Sequence, residues 1–262
     1  GFLPSCIGES ECLVVADPNE AWILEVFAVG PGWKRNSGKP GAIWAAKRVP
    51  DDHVTMVPNW SIIKEVDTTS ADCMASPNYK SFAIEKGWYD PDGNKPFIWQ
   101  KAYSPIPREW ATGRFWLFYS QYAPNLRNWP DRSIDTPYDT QNPYVQYVED
   151  LSIYPFSVKP VRNLGVRDVM EFQRSVFAGT IYDMSEDPDW YIPGEDGKMH
   201  KSPLATPFPT KPMQKLLDIT HRRNVSRGGY GMIAQLRSWL PDPVGGVYWV
   251  YQDNQTIGPY AP

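Results

Sequence analysis

The chain has 262 residues, of which 42% are hydrophobic and 14% aromatic, and its formal net charge is −4. This composition supports one large core, and the mild negative charge, with no run of Lys and Arg, argues against a basic surface for nucleic acid. No apolar stretch approaches the roughly 20 residues that a membrane-spanning helix needs. We therefore expect neither a nucleic-acid partner nor a membrane.

The ends of the sequence indicate a piece of a longer protein. The chain begins with Gly1-Phe-Leu-Pro, which is neither an initiator methionine nor a signal or transit peptide. It ends soon after the strand-like pattern Val247–Tyr251. We therefore expect residues 1–262 to lie within a single domain, as part of a larger domain that continues beyond them.

The first third of the chain is rich in strand signals. Residues 12–16 and 21–29 are apolar runs joined by the turn former Asp17-Pro-Asn19, which predicts a β-hairpin. The segment Trp44–Ile63 predicts two further strands around an acidic turn, the second of them over residues 53–58. Strands this apolar are expected to be covered on both faces.

Helical signals dominate the middle of the chain, and strand signals return near its end. Caps, terminal glycines and the spacing of apolar residues predict helices at 78–87, 107–121, 166–177 and 213–221. The Pro-rich stretches at 122–147 and 185–212 predict irregular segments. Apolar runs predict two final strands over 230–240 and 246–251.

The chain has three cysteines, Cys6, Cys12 and Cys73. Cys6 and Cys12 are close enough in sequence for a small disulfide loop, which leaves a bonded pair and free thiols as alternatives. Neither Cys6 nor Cys73 has a His at the spacing of a catalytic pair, so we expect both to be inert. The three histidines lie far apart and in no ligand spacing, so we expect no metal and no cofactor.

One Gly-rich segment, Ser226–Gly231, is a candidate for contact with a substrate. Arg227, Gly228 and Gly229 would let a ligand approach the backbone closely, and the alternative is a tight bend with no ligand. The 12 Trp residues also allow two interpretations, a packed core or a sugar-stacking surface. Their place within strand and helix patterns favours the core.

Two polar residues in apolar surroundings are candidate catalytic groups. Asn59 lies at the end of the predicted second strand, where an amide could donate a hydrogen bond to a developing oxyanion. The alternative is that it caps a turn. Arg114 lies on the apolar stripe of the helix predicted over 107–121, and a buried Arg needs a partner. A buried carboxylate such as Glu25 or Glu109 is one candidate.

Several longer segments of the sequence resemble those of one family of enzymes. They are Val15–Glu25, Trp44–Asp52, Val57–Asn59, Tyr154–Pro160 and Arg237–Asp242. In this order they resemble the broad-specificity dipeptidases of the N-terminal nucleophile hydrolase superfamily, the family of dipeptidase A and the secernins. The phrases spread over nearly the whole chain, and several are long enough to be specific.

The resemblance implies an α+β fold, a four-layer α-β-β-α sandwich with two mostly antiparallel sheets, of which this chain would hold a part. It also implies a cysteine-type dipeptidase in which an N-terminal Cys attacks the peptide carbonyl. The α-amino group of that Cys, with a pKa of about 7.7–8.0, serves as the base. An Asn side chain and backbone amides hold the oxyanion.

Two residues of this chain match functional positions of related enzymes. Asn59, in Met-Val-Pro-Asn, is similar to the oxyanion Asn of the choloylglycine hydrolases and penicillin V acylases. Arg114, in Ala-Thr-Gly-Arg-Phe-Trp-Leu, resembles the Arg beside the nucleophile in those enzymes. The two residues are 55 positions apart, close to the separation in the relatives. The resemblance implies that they share one catalytic site, where the Arg lowers the pKa of the thiol.

The nucleophile of the family has no counterpart in this chain. Gly1 has no nucleophilic side chain, and Cys6 stands within the chain and has no free amine. We therefore expect the nucleophile in sequence beyond these residues, so that the chain alone is inactive. Its expected partners are the remaining segments of the same protein and a dipeptide or short peptide, with a homo-oligomer left open. The resemblance favours a periplasmic or exported protein over a cytoplasmic one.

Two other functions remain as alternatives. A related amidase that cleaves bile-salt-like or penicillin-like amides would share the nucleophile and the Asn. A non-enzymatic glycan-binding module would instead present several Trp rings in a row on one face.

Overall fold

The computed structural model describes residues 10–30, 32–104, 109–125, 154–180, 182–217, 230–254 and 256–262. The chain divides into two compact units, Gly1–Arg162 and Asn163–Pro262. Both contain helices and antiparallel strands, which agrees with the predicted α+β class. The four-layer sandwich and the single domain over 1–262 stay predictions.

The first unit is built on a four-stranded antiparallel sheet with the strand order β1-β2-β3-β4. Its strands are β1 (Ser10–Ala16), β2 (Ala21–Ala28), β3 (Ala42–Val49) and β4 (Cys73–Ala75). The hairpin predicted at its start is confirmed. Asp17 closes the turn, because its Oδ1 accepts hydrogen bonds from the backbone N–H groups of Asn19 (2.7 Å) and Glu20 (2.9 Å).

Three helices complete the described part of the first unit. They are α1 (Tyr79–Glu85), α2 (Trp99–Tyr103) and α3 (Glu109–Tyr122). Helices α1 and α3 confirm two of the predicted helices, whereas the five-residue α2 is too short for periodicity to reveal it. The buried aromatic side chains Trp60, Trp99, Tyr103, Phe115, Tyr119 and Tyr154 form the centre of the core.

Two predictions for the strands of the first unit are wrong. Residues 55–60 form no strand, and near them only Val54 makes an isolated bridge, to Val158. Pro58 has no N–H to give to a ladder, and Thr55 donates its hydroxyl to the carbonyl of Phe156. Strand β1 is not covered on both faces, because its consecutive residues 13–15, which point alternately to the two faces, are each at least half exposed.

The described part of the second unit contains two separate hairpins, three α-helices and two short 3₁₀ helices, Met184–Glu186 and Pro188–Trp190. Strands β5 (Tyr191–Pro193) and β6 (Met199–Lys201) form one hairpin, and β7 (Tyr230–Leu236) and β8 (Gly246–Gln252) form the other. The helices are α4 (Val166–Gln173), α5 (Lys211–Leu217) and α6 (Asp242–Gly245). The predictions of α4, α5 and the final strand pair are confirmed within the described residues.

Three of the described Trp side chains are buried in the core, and the others are half-buried or exposed. Trp60, Trp99 and Trp190 are each 2% exposed or less. Within the described part of the chain, Trp33 and Trp239 are exposed, and they belong to different units. The three buried residues support a core role for part of the Trp surplus. Among the described residues, no helix has the length and apolar character needed to cross a membrane.

Gly231 on β7 lies directly opposite Tyr251 on β8. A Cβ atom at position 231 would lie 2.0 Å from the Tyr251 ring, which therefore covers the bare glycine backbone. The ring of Tyr251 in turn packs edge-on against Tyr260, with centroids 4.8 Å apart. The glycine at this position thus makes room for an aromatic contact that ties the hairpin to the end of the chain.

We expect Gly231→Ala to lower the free energy of unfolding by about 1–3 kcal/mol, because the new methyl group overlaps the Tyr251 ring. Chemical denaturation measures the change. Gly246→Ala is the matched control, since no heavy atom lies within 4 Å of a Cβ built there. Equal stability of the two variants would contradict the close approach of Tyr251.

Candidate active site

Asn59 and Arg114, the two residues predicted to share a site, are in direct contact. The Nη2 of Arg114 donates a hydrogen bond of 2.8 Å to the Oδ1 of Asn59. Asn59 is exposed, and Arg114 is half-buried on α3. The fold thus brings together two polar side chains that are 55 positions apart in the sequence.

The contact determines which way the amide of Asn59 points. A guanidinium group has only donors, so the atom that faces it must be the amide oxygen. The Nδ2 group then points away from Arg114, and no described residue accepts a hydrogen bond from it. The NH₂ group of Asn59 thus presents two N–H bonds that can donate to a negatively charged oxygen.

The backbone of Asn59 has an unusual conformation. Its φ angle is +54°, in the left-handed region that few residues other than glycine adopt. Asn tolerates this region better than most side chains. The chain bends here between Pro58 and Trp60, which are both buried, and the side chain of Asn59 lies at the surface.

The neighbours of the two candidate residues hold them together. Trp60 follows Asn59, Phe115 follows Arg114, and their rings pack edge-on with centroids 5.9 Å apart. The indole N–H of Trp60 also donates to the carbonyl of Ser104, at 2.7 Å. A buried aromatic contact therefore lies directly beneath the polar contact at the surface.

Sequence reasoning missed the role of Glu25, which is 3% exposed. Its carboxylate accepts hydrogen bonds from the hydroxyl of Ser61, the indole N–H of Trp99 (2.7 Å) and the backbone N–H groups of Ile62 (2.8 Å) and Ile63 (3.3 Å). Burial raises the pKa of Glu25, and these donors oppose the rise. The signal in the sequence was a single charge inside the apolar strand β2.

Glu25 is not the partner of Arg114, because none of its contacts within the described part of the chain involves that residue. The side chain of Glu109, the other carboxylate considered, lies outside the described residues. Among the described residues, the amide of Asn59 is a partner of Arg114.

The described cysteines are poorly suited to act as nucleophiles. Cys12 is a free thiol, and burial, followed by the charges of Glu25 and Glu11, raises its pKa to about 12. Burial also raises the pKa of Cys73. A thiol that stays protonated at neutral pH is a weak nucleophile. Cys6 lies outside the described residues, so a bond between Cys6 and Cys12 is not described.

The remaining predicted site residues cannot be placed. Arg227, Gly228 and Gly229 all lie outside the described residues, so their contact with a substrate stays a prediction. Among the described residues, no group of three or more His, Cys, Asp or Glu side chains is arranged to hold a metal ion.

Two cavities in the first unit lie away from the Asn59–Arg114 contact. One of about 470 Å³ is lined by Trp33, Phe82 and Lys86, and one of about 620 Å³ by Lys64, Trp88 and neighbouring residues. Neither Asn59 nor Arg114 lines them. Burial lowers the pKa of Lys64 to about 8, and its amine donates to the carbonyl of Tyr154 at 2.6 Å.

Comparison with known proteins decides the family. The model of Peptidase family C69 matches residues 5–262. The chain belongs to this family. The resemblance inferred from the sequence phrases is thereby confirmed.

Two curated relatives show how much of a C69 protein this chain represents. It is 24% identical over 259 residues to a probable dipeptidase of Salmonella dublin, covering 97% of this chain and 47% of the relative. It is also 24% identical over 259 residues to a probable dipeptidase of Latilactobacillus sakei, covering 97% of this chain and 42% of the relative. The C69 chain thus spans about half the length of the curated relatives it matches.

We expect Asn59→Gly to be more stable than Asn59→Ala by about 1 kcal/mol. Ala at a left-handed φ is strained by roughly 1–2 kcal/mol, whereas Gly is not. Gly also has more conformational freedom in the unfolded chain, which lowers its stability and offsets part of this difference. Chemical denaturation of both variants measures the difference. If the Ala variant were as stable as the Gly variant, the left-handed backbone at Asn59 would be refuted.

Proposed function

We propose that the protein is a cysteine-type dipeptidase in which Asn59 stabilises the oxyanion. The observation that carries this proposal is the hydrogen bond from Arg114, which turns the NH₂ group of Asn59 away from Arg114. Membership of family C69 and the names of the two relatives support a dipeptide as the substrate.

The proposed reaction begins with an N-terminal Cys in sequence beyond these residues. Its α-amino group takes the thiol proton while the sulfur attacks the peptide carbonyl, and the carbonyl electron pair moves to oxygen. Asn59 donates to that oxyanion. The intermediate collapses to a thioester, the C–N bond breaks, and the ammonium group gives its proton to the leaving amine. Water then hydrolyses the thioester by the same route.

Arg114 has two tasks in this proposal. Because its guanidinium group has no acceptor, it holds the oxygen of Asn59 and leaves the NH₂ group available for the substrate. Its positive charge also favours the thiolate over the thiol and so lowers the pKa of the nucleophile. Both tasks require Arg114 to stay beside Asn59, which the neighbouring contact between Trp60 and Phe115 supports.

The rest of the proposal concerns the complete protein. Residues 1–262 form part of one N-terminal nucleophile hydrolase domain, and other segments of the same protein supply the nucleophile. A related amidase would use the same Asn, so a panel of dipeptides and acyl amides separates the two activities. Hydrolysis of the acyl amides alone would contradict the dipeptidase assignment.

We expect Asn59→Ala in the full-length protein to lower kcat for dipeptides by roughly 10²–10³, the usual effect of losing one oxyanion donor. Steady-state kinetics measure it, and KM should change little because the bond forms in the transition state. Asn94→Ala is the matched control, since Asn94 is also exposed and has a φ of +52°. Equal activity of the two variants would refute the role of Asn59.

A further inference from the structure

We propose that Glu25 is a positioning residue that holds Asn59 in its working place beside Arg114. The inference rests on the proposed function and extends it to a residue that makes no contact with either of the two. It is carried by the hydrogen bonds of the Glu25 carboxylate, by the position of their donors in the chain, and by the lack of regular structure around Asn59.

Three of the four donors to Glu25 belong to consecutive residues that begin two positions after Asn59. Oε1 accepts from the N–H groups of Ile62 and Ile63, and Oε2 accepts from the hydroxyl of Ser61. The carboxylate therefore determines where the chain runs as it leaves Asn59. The fourth donor is the indole N–H of Trp99 on α2, which donates a hydrogen bond of 2.7 Å to Oε2.

The segment that Glu25 holds has no secondary structure of its own. Residues 55–67 lie outside helices and strands, so no ladder supplies acceptors for their backbone N–H groups. Buried N–H groups need acceptors, and Glu25 provides them for Ile62 and Ile63. The amide of Gln100 adds a bond of 2.6 Å to the carbonyl of Ser61. The path of this segment thus depends on side chains from elsewhere in the fold.

Stability alone is a poor explanation for a carboxylate at this place. Glu25 is fully enclosed, and within the described residues no cation pairs with it. Burying an unpaired carboxylate is unfavourable even with neutral donors around it, and an apolar residue would suit the core as well. A buried polar network instead specifies one conformation, and here that conformation includes the left-handed turn at Asn59.

A double-mutant cycle in the full-length protein tests the inference. Glu25→Gln keeps the shape of the side chain and replaces one acceptor with a donor. We expect it to lower kcat for dipeptides by about 10–10²-fold, because small displacements of a catalytic group have effects of this size. In the Asn59→Ala background the same change should have no further effect on kcat. An equal loss in both backgrounds would overturn the proposal.

A gentler pair of variants covers the case in which Glu25→Gln does not fold. Ser61→Ala removes one hydrogen bond to Glu25, and Ser76→Ala removes a buried serine of the same kind, whose Oγ accepts from the N–H of Trp44 at 3.1 Å. The two serines are 5% and 3% exposed. We expect a loss of kcat only for Ser61→Ala. Equal kcat for both variants would contradict the positioning role.

The outcomes separate this inference from the proposed function. A wild-type protein that cleaves no dipeptide refutes the proposed function. If the wild-type protein is active but the effects of Glu25→Gln and Asn59→Ala on kcat are additive, only the role of Glu25 is refuted. A crystal structure of the Ser61→Ala protein gives a measurement that needs no turnover. There we expect the hydrogen bond between Arg114 and Asn59 to be lost or lengthened beyond 3.5 Å, and an unchanged bond would count against the proposal.

Discussion

The carboxylate of Glu25 is the one group on which the arrangement of the candidate site depends. It lies at the centre of β2, inside the sheet, and gathers donors from α2 and from the irregular segment after Asn59. Residues 61–63 lie outside any ladder, so a side chain supplies the acceptor for the N–H groups of Ile62 and Ile63. The sheet thereby holds a loop that carries a candidate catalytic side chain.

A division between burial and exposure runs through the Asn59 region. Trp60 and Phe115 are buried and pack against each other, whereas the next residue before each of them, Asn59 or Arg114, reaches the surface. The aromatic contact buries apolar surface. The polar contact fixes the orientation of the Asn59 amide, because a guanidinium group has only donors and must face the amide oxygen. A site built in this way keeps its donors ready before a substrate arrives, which is the condition for electrostatic catalysis.

Apolar side chains remain exposed in both units. In the first unit three of them are consecutive on the edge strand β1, and in the second four lie on one face of the hairpin formed by β7 and β8, at Tyr230, Met232, Tyr248 and Val250. Exposed apolar surface of this kind is typical of places where other protein packs. It supports the proposal that further segments of the same protein complete the fold.

The sequence by itself determined the local elements and the family. Turn chemistry and apolar periodicity predicted the first hairpin, α3, α4 and the final strand pair, because such signals act between residues close in the chain. The phrases around Asn59 and Arg114 identified the candidate residues. Only the tertiary structure decided that residues 55–60 form no strand, that Asn59 is left-handed, and that Glu25 holds its segment. The hold of Glu25 on this segment depends on hydrogen bonds between residues 36 to 74 positions apart, whose partners become neighbours only when the chain has folded.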